Sequence, residues 1–256
     1  MMKNKIKLFF AAAALIGTTA KAQLVDEKDV SITLDLQPVL QLDMSTPDQL
    51  EFVFDEISEY QAGIVKYAAT ILKVSSTVNW DLYAIGRSQG NNGPTYWDQQ
   101  LTYGNNITNS EPNLPLSLLE LKQSHANPAV AGVNVDYSST FSPATTPAGT
   151  NSIYTDPAGG GAAPLAGEKY IAGHAGTTGV NDYMPGGSYL SQIGGISSDF
   201  YYAIDYRILP GLPAIFPMAY AADGTTSQAV NSVNASAYAQ PGIYTMYVQY
   251  VLLEDQ

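Results

Sequence analysis

The residue types that most often carry out catalysis are scarce in this chain of 256 residues. It has no cysteine, which excludes disulfides, thiolate metal ligands and cysteine nucleophiles. Its two histidines, His125 and His174, both lie among residues typical of loops. A Ser-His-Asp triad is a spatial arrangement, and no sequence feature here indicates one. The segment around Ser188 lacks the second glycine of a nucleophile elbow. We therefore predict that the protein is not an enzyme and has no catalytic residues.

Carboxylates are the one plentiful class of metal ligand. They form two clusters, one near the N-terminus and one before Tyr60: Asp26, Glu27 and Asp29, and Asp55, Glu56 and Glu59. Calcium binds several carboxylate and carbonyl oxygens, but neither cluster has the spacing of an EF-hand loop. Solvated acidic edges, which also block unwanted strand pairing, explain both clusters. The sequence predicts no metal or cofactor, and calcium at these clusters is the alternative.

The net charge disfavours polyanionic partners. The chain has 23 acidic and 11 basic residues, which gives a formal net charge of −12. Such a surface repels nucleic acids and anionic membranes. The glycine run 159–161 and the pair at 194–195 lack the lysine of a phosphate-binding loop. We predict no nucleic-acid partner.

Aromatic side chains are the remaining candidates for ligand binding. Tyr96, Trp97 and Tyr103 lie in an irregular part of the sequence, where exposed rings could stack on sugars. The alternative is that the aromatic residues of this region fill a small core under long loops.

The N-terminus has the three ordered regions of an export signal. Lys3, Lys5 and Lys7 precede the short apolar run 8–16, and a small-residue cleavage site follows at 20–22. The run is too short to span a bilayer, and no second long apolar run follows. We predict a signal peptide at residues 1–22 and a secreted or surface-exposed mature chain without membrane insertion; a periplasmic location is the alternative. Cleavage would also remove Lys21 and change the net charge from −12 to −16.

Strict alternation of apolar and polar residues predicts strands rather than helices. In the first candidate strand Val30, Ile32, Leu34 and Leu36 share one face, as in a half-buried strand. Similar patterns occur at 50–54, 65–74, 78–84, 199–209 and 243–253, and they place Asp81, Tyr83, Asp205 and Arg207 on faces directed to solvent. Short strands separated by Gly/Pro turns predict an all-β fold, an antiparallel β-sandwich of the immunoglobulin or pilin kind.

The middle of the chain differs from both ends. Residues 87–198 are rich in Gly, Pro, Ser, Thr, Asn and Ala. They could be a surface insertion or a linker between two domains. We favour an insertion into one domain, residues 23–256, because the clearest strands lie on both sides and need partners. The leucines of 112–122 fit helical and strand spacing equally well.

The order of strand and turn residues resembles that of a known group of proteins. The alternating strand at 30–36 is followed by Leu50-Glu51-Phe52, a turn ending at Gly63, and Asn79-Trp80-Asp81-Leu82-Tyr83; a tyrosine-rich strand closes the chain. This pattern resembles secreted bacterial β-sandwich surface proteins of the fimbrial-subunit, spore-coat-like and WxL-like kinds. The Ala-Lys-Ala-Gln junction resembles those of Bacteroidota secreted proteins. The chain lacks the paired cysteines of many usher-type pilins and the lipobox of others.

These observations together predict an exported structural or adhesive protein of the cell surface. Cleavage after Ala22 would leave a short N-terminal segment whose residues Val30, Ile32, Leu34 and Leu36 could complete the sheet of a neighbour by β-strand addition. The same strand could also pair within its own domain. The predicted partners are copies of the chain itself, other surface proteins or glycans. The alternative function is a carbohydrate-binding module that uses Tyr96, Trp97 and Tyr103.

Overall fold

The computed structural model describes residues 26–104, 110–124, 135–141, 151–156, 162–165, 168–173, 183–187, 200–208 and 238–255. The fold is all-β, with antiparallel sheets packed against each other in a sandwich-like arrangement, which confirms the predicted fold class. The one α-helix of the described residues, α1, spans Ile57–Ala62, and a 3-10 turn spans Leu116–Leu118. The predicted signal peptide lies outside the described residues.

The strands in chain order are β1 (Leu40–Met44), β2 (Ile64–Ser76), β3 (Trp80–Arg87), β4 (Asp98–Thr102), β5 (Ser110–Glu111), β6 (Leu119–Gln123), β7 (Val135–Asp136), β8 (Lys169–Tyr170), β9 (Gly186–Gly187), β10 (Tyr201–Ile208), β11 (Tyr238–Ala239), β12 (Gly242–Thr245) and β13 (Tyr247–Glu254).

The main sheet has the strand order β1-β2-β10-β6, and β9 extends the pairing of β2. All of its ladders are antiparallel. A second antiparallel ladder joins β3 to β13 over eight residue pairs, and a third joins β4 to β12. Two short pairs, β5 with β11 and β7 with β8, are parallel.

One core unites these ladders. It contains Trp80 and Leu82 of β3, Leu72 and Val74 of β2, and the alternating residues of β10, all of them buried. The strand predicted from the alternation at 199–209 is confirmed, and its apolar residues face the core: Tyr202, Ile204, Tyr206 and Ile208. The predicted strand at 65–74 also forms, as part of β2.

Two predicted strands do not form. Residues 30–36 and 50–54 have no regular secondary structure. In the second segment Phe52 and Phe54 still pack on the core, so the alternation there reflects burial without a ladder. The predicted strand at 243–253 divides into β12 and β13, which separate at Met246. The ambiguous leucine-rich segment becomes the 3-10 turn followed by β6.

Several polar faces that the alternation assigned to solvent are buried. Asp81 and Tyr83 of β3 lie in the interior, because a second apolar cluster with Tyr154 and Tyr170 covers the outer face of that strand. Arg207 of β10 is also buried, opposite Glu120 of β6. Segments from the predicted insertion cover these faces: residues 151–155 and 171–172 pair with β6 and β3. The limits of the insertion, 87–198, stay a prediction.

Candidate functional site

The chain divides into two units, residues 1–36 and residues 37–256. The described part of the first unit, Asp26–Leu36, is irregular and every residue in it is exposed. Its four alternating apolar side chains are 78–87% exposed: Val30, Ile32, Leu34 and Leu36. Apolar side chains that are exposed together on one surface are one mark of an interaction site. The strand that the alternation predicts at 30–36 is not formed within the described residues, and the role of the segment in strand exchange stays a prediction.

The first residues of the second unit, Gln37 and Pro38, lead into a hydrogen-bonded position just before β1. Val39 donates its N–H to the Thr77 Oγ1 at 2.8 Å and accepts the Thr77 N–H at 2.9 Å. Only Gln37 and Pro38 therefore separate Leu36 from a residue held by the β1–β2 ladder. Proline restricts the backbone of this connection.

The second unit contains a strand whose outer edge has no pairing among the described residues. Among the described strands, β13 pairs only with β3. The Asp255 N–H donates to the Asn79 carbonyl at 3.0 Å, so Asp255 and Asn79 form a hydrogen-bonded pair. Hydrogen-bonded and non-hydrogen-bonded pairs alternate along an antiparallel ladder. The backbone groups of the non-hydrogen-bonded positions therefore point away from β3. These positions are Val248, Tyr250, Leu252 and Glu254.

The same reasoning applies to β1. It pairs with β2 on one side, and the Ser45 N–H bonds to the Ile71 carbonyl at 3.0 Å. Leu40, Leu42 and Met44 then direct their backbone groups away from β2. Cα atoms of β1 and β13 approach within 8 Å, yet no ladder between these strands is formed.

The core is incompletely covered along these two strands. The residues of β1 and β13 that pack on the main core are only partly buried: Leu40, Leu42, Val248, Tyr250 and Leu252. The inner strands β2 and β10 by contrast contribute fully buried residues such as Val74 and Ile204. We name this apolar strip, formed by those five partly buried residues, the β1/β13 seam.

A buried group of charges lies elsewhere in the second unit, across β6, β8 and β10. Arg207 Nε donates to the Glu120 carboxylate, and the guanidinium lies 4.8 Å from the centre of the Phe141 ring. Lys169 donates to the Ser152 carbonyl at 2.8 Å and lies 5.5 Å from the centre of the Tyr137 ring.

Burial is the largest cause of the pKa shifts of Lys169 and Glu120. Burial lowers the pKa of Lys169 to about 7, and the nearby Glu120 carboxylate opposes that change. Burial raises the pKa of Glu120, while Arg207 opposes the rise by hydrogen bonding and by its charge. Sequence alternation missed these residues, because it assigned Arg207 to solvent and did not single out Glu120 or Lys169. The arrangement joins three strands by charge and hydrogen bonding.

The structure separates the three predicted sugar-stacking residues. Trp97 packs on the main core and donates its indole N–H to the Pro115 carbonyl at 3.1 Å. Tyr96 is partly buried and bridges to Pro115, whereas Tyr103 is 55% exposed. These rings therefore do not form one exposed platform. Tyr154 and Tyr170 of the same region fill the second apolar cluster, as the alternative interpretation proposed.

The acidic residues near α1 have a local structural role. Glu59 accepts the backbone N–H groups of Asp55 at 2.9 Å and Glu56 at 3.1 Å. These hydrogen bonds lower the pKa of Glu59. In the part of the chain that the structure describes, no three acidic or histidine side chains are grouped as a metal site would require. The residues His125, His174 and Ser188 lie outside that part.

Within the described ranges, no helix is long and apolar enough to cross a bilayer. No protein-family model matches the chain, and no curated protein matches it significantly.

Proposed function

We propose that this protein is an exported, non-enzymatic structural or adhesive protein of the bacterial cell surface that assembles by β-strand addition. The observation that carries the proposal is the exposed apolar face of residues 30–36: Val30, Ile32, Leu34 and Leu36. Burial of one such side chain contributes about 1.5–3 kcal/mol, so a neighbour that covered all four would gain substantial binding energy. The export pattern at residues 1–22 and the resemblance to fimbrial-type surface proteins support the same function.

The sequence pattern of the segment favours strand addition over a simple hydrophobic contact. The apolar residues recur at every second position, which matches the side-chain period of a strand. The intervening Ser31, Thr33 and Asp35 are polar, as a strand with one solvated face requires. Backbone hydrogen bonds to a neighbouring sheet would add affinity, and the apolar side chains would add specificity.

Two variants with the same charge change test the proposal. Ile32→Asp places a carboxylate on the apolar face, and Thr33→Asp places one on the polar face. Both positions are exposed, so neither variant should alter the melting temperature of the monomer. Electron microscopy of the purified chain should show filaments for wild type and Thr33→Asp and only discrete particles for Ile32→Asp. Deletion of residues 24–36 should also prevent assembly and leave a folded monomer.

Two results would contradict this function. Wild-type protein that remains monomeric at every concentration would exclude assembly. A large loss of monomer stability in Ile32→Asp would show that the segment pairs within its own chain.

A further inference from the structure

We infer that Asn92 is a site of spontaneous chemical modification: its side-chain amide is lost through attack by the backbone nitrogen of Gly93, and the carboxylate that results releases the turn at residues 90–93 from its neighbours. The inference goes beyond the proposed function and does not depend on assembly.

The sequence at this site favours the reaction. The backbone nitrogen of the residue after an asparagine can attack the side-chain carbonyl carbon, and a Cβ on that following residue hinders the approach. Glycine has no Cβ. Asn92-Gly93 is the one Asn-Gly pair in the whole chain. The neighbouring Asn91 is followed by Asn92 instead, which makes it a matched comparison within the same turn.

The reaction needs no reactant other than water. The Gly93 nitrogen loses its proton to solvent base and forms a bond to Cγ of Asn92. The bond from Cγ to Nδ2 then breaks and ammonia leaves, which gives a cyclic imide. Water adds to one of the two carbonyl carbons of this ring. Opening at one carbon gives aspartate, and opening at the other gives isoaspartate, in which the backbone runs through the former side chain.

The fold presents this pair of residues at a turn. The Gly93 N–H donates to the Gly90 carbonyl at 3.1 Å, which makes Asn91 and Asn92 the central residues of a β-turn. Gly90 and Asn91 are exposed, and Asn92 and Gly93 are partly buried. Opening of the hydrogen bond to Gly90 makes the Gly93 nitrogen available for attack. Local opening of a surface turn costs much less free energy than global unfolding.

The Asn92 amide holds the turn against the next part of the chain. Its Nδ2 donates to the Trp97 carbonyl and to the Pro112 carbonyl, each at 3.4 Å. An ionised carboxylate has no hydrogen to donate. Loss of ammonia would therefore remove both hydrogen bonds and place a negative charge against two carbonyl oxygens, so these contacts would become unfavourable.

The surroundings of the turn are also poorly suited to isoaspartate. Ser88 Oγ holds both ends of the turn, because it accepts the Gly90 N–H at 3.1 Å and donates to the Gly93 carbonyl at 3.0 Å. The buried Asp98 carboxylate accepts the Asn91 N–H at 2.9 Å. Isoaspartate would lengthen the backbone between these attachments, and a new carboxylate beside Asn91 would repel Asp98. The contact between the turn and Asp98 would therefore weaken.

Peptide mapping of aged protein tests the modification. The purified, folded full-length chain is incubated at neutral and at mildly alkaline pH, then digested and analysed by mass spectrometry. We expect conversion of the amide to an acid about tenfold more often at Asn92 than at Asn91, because only Asn92 precedes a residue without a Cβ. The rate should rise with pH, since the attacking nitrogen must lose a proton. Fragment ions distinguish isoaspartate from aspartate.

Hydrogen exchange tests the release of the turn. The backbone N–H groups of Gln89 and Asn91 both donate to the Asp98 carboxylate. Their exchange should become faster in aged wild type and in Asn92→Asp. Asn92→Gln is the matched control, because it keeps an amide whose cyclisation would require a larger ring. Ageing should leave the exchange of that variant unchanged.

Two results would overturn the inference. If Asn92 stays intact in the folded chain, whether or not it is modified in the urea-unfolded chain, it is not a modification site of this protein. If Asn92 is modified but Gln89 and Asn91 exchange no faster, the turn remains attached and the proposed consequence is wrong.

Discussion

Glu120 and Arg207 are direct cross-strand partners in the β6–β10 ladder and form a buried ion pair. Removal of one partner leaves the other charge buried without its counter-charge, which typically costs about 3–5 kcal/mol. We expect Glu120→Ala to lower the free energy of unfolding by that amount in urea denaturation. The double variant Glu120→Leu/Arg207→Met should lose much less stability than the two single substitutions summed. Additive losses in this double-mutant cycle would contradict the coupling.

Lys169 should make stability depend on pH. Its pKa is about 7 in the folded protein, whereas its ordinary value is 10.5. Between these values the unfolded chain binds more protons, so the contribution of Lys169 to stability rises with pH, by up to about 1.4 kcal/mol per pH unit. Below pH 7 both states are protonated and the contribution is constant. The unfolding free energy of wild type minus that of Lys169→Met should follow this profile, and a difference that is flat from pH 7 to 10 would contradict it.

Two glycines with nearly equal positive φ angles should respond differently to substitution. Gly173 has φ +86° and Gly90 has φ +87°, a region that favours glycine. A Cβ at Gly173 would collide with the Asp81 side chain, whereas a Cβ at Gly90 would meet nothing within 4 Å. Gly90→Ala should cost only the backbone strain of about 1–2 kcal/mol. Gly173→Ala should cost about 1–3 kcal/mol more from steric overlap, measured by chemical denaturation. Equal losses would show that the Asp81 side chain moves aside freely.

Alanine substitutions of Trp97 and Tyr103 should distinguish an effect on folding from an effect on ligand binding. Trp97 packs on the core, so we expect Trp97→Ala to destabilise the protein by roughly 2 kcal/mol, less than a fully buried tryptophan. Tyr103 is exposed, and Tyr103→Ala should change stability by less than about 0.5 kcal/mol. Thermal unfolding of both variants checks this. Loss of binding to a glycan array in the stable Tyr103→Ala variant would favour the carbohydrate-binding alternative.

The two-residue period predicted the class of fold and the strands β2, β3, β10, β12 and β13, but it did not predict β1, whose Leu40 and Leu42 also pack on the core. It identified the core faces of β10 and β13 because burial on one face imposes alternation. The period predicted strands incorrectly in two segments that alternate but form no ladder. Phe52 and Phe54 pack on the core from an irregular segment, and residues 30–36 alternate without forming a strand. A sequence pattern records which side chains require burial, but it does not specify what buries them.

The same pattern did not predict which polar residues are buried. Arg207 and Asp81 occupy positions that alternation assigns to water, and segments distant in sequence cover them. Ser152 pairs with Glu120 of β6, and Thr155 and Ala172 both pair with β3. The register that places Glu120 opposite Arg207 depends on a contact 87 residues apart in the chain. A single sequence gives no local signal for such a contact.

The hydrogen bonds between Val39 and Thr77 have a mechanical consequence for an assembly of the proposed kind. Tension on the donated segment would reach the body of its own subunit through Gln37 and Pro38, and would then load the β1–β2 ladder from its end. Ladders pulled lengthwise resist through many backbone bonds at once, and a two-residue joint has little slack. Fibres built this way would pass tension directly into the first ladder of each subunit.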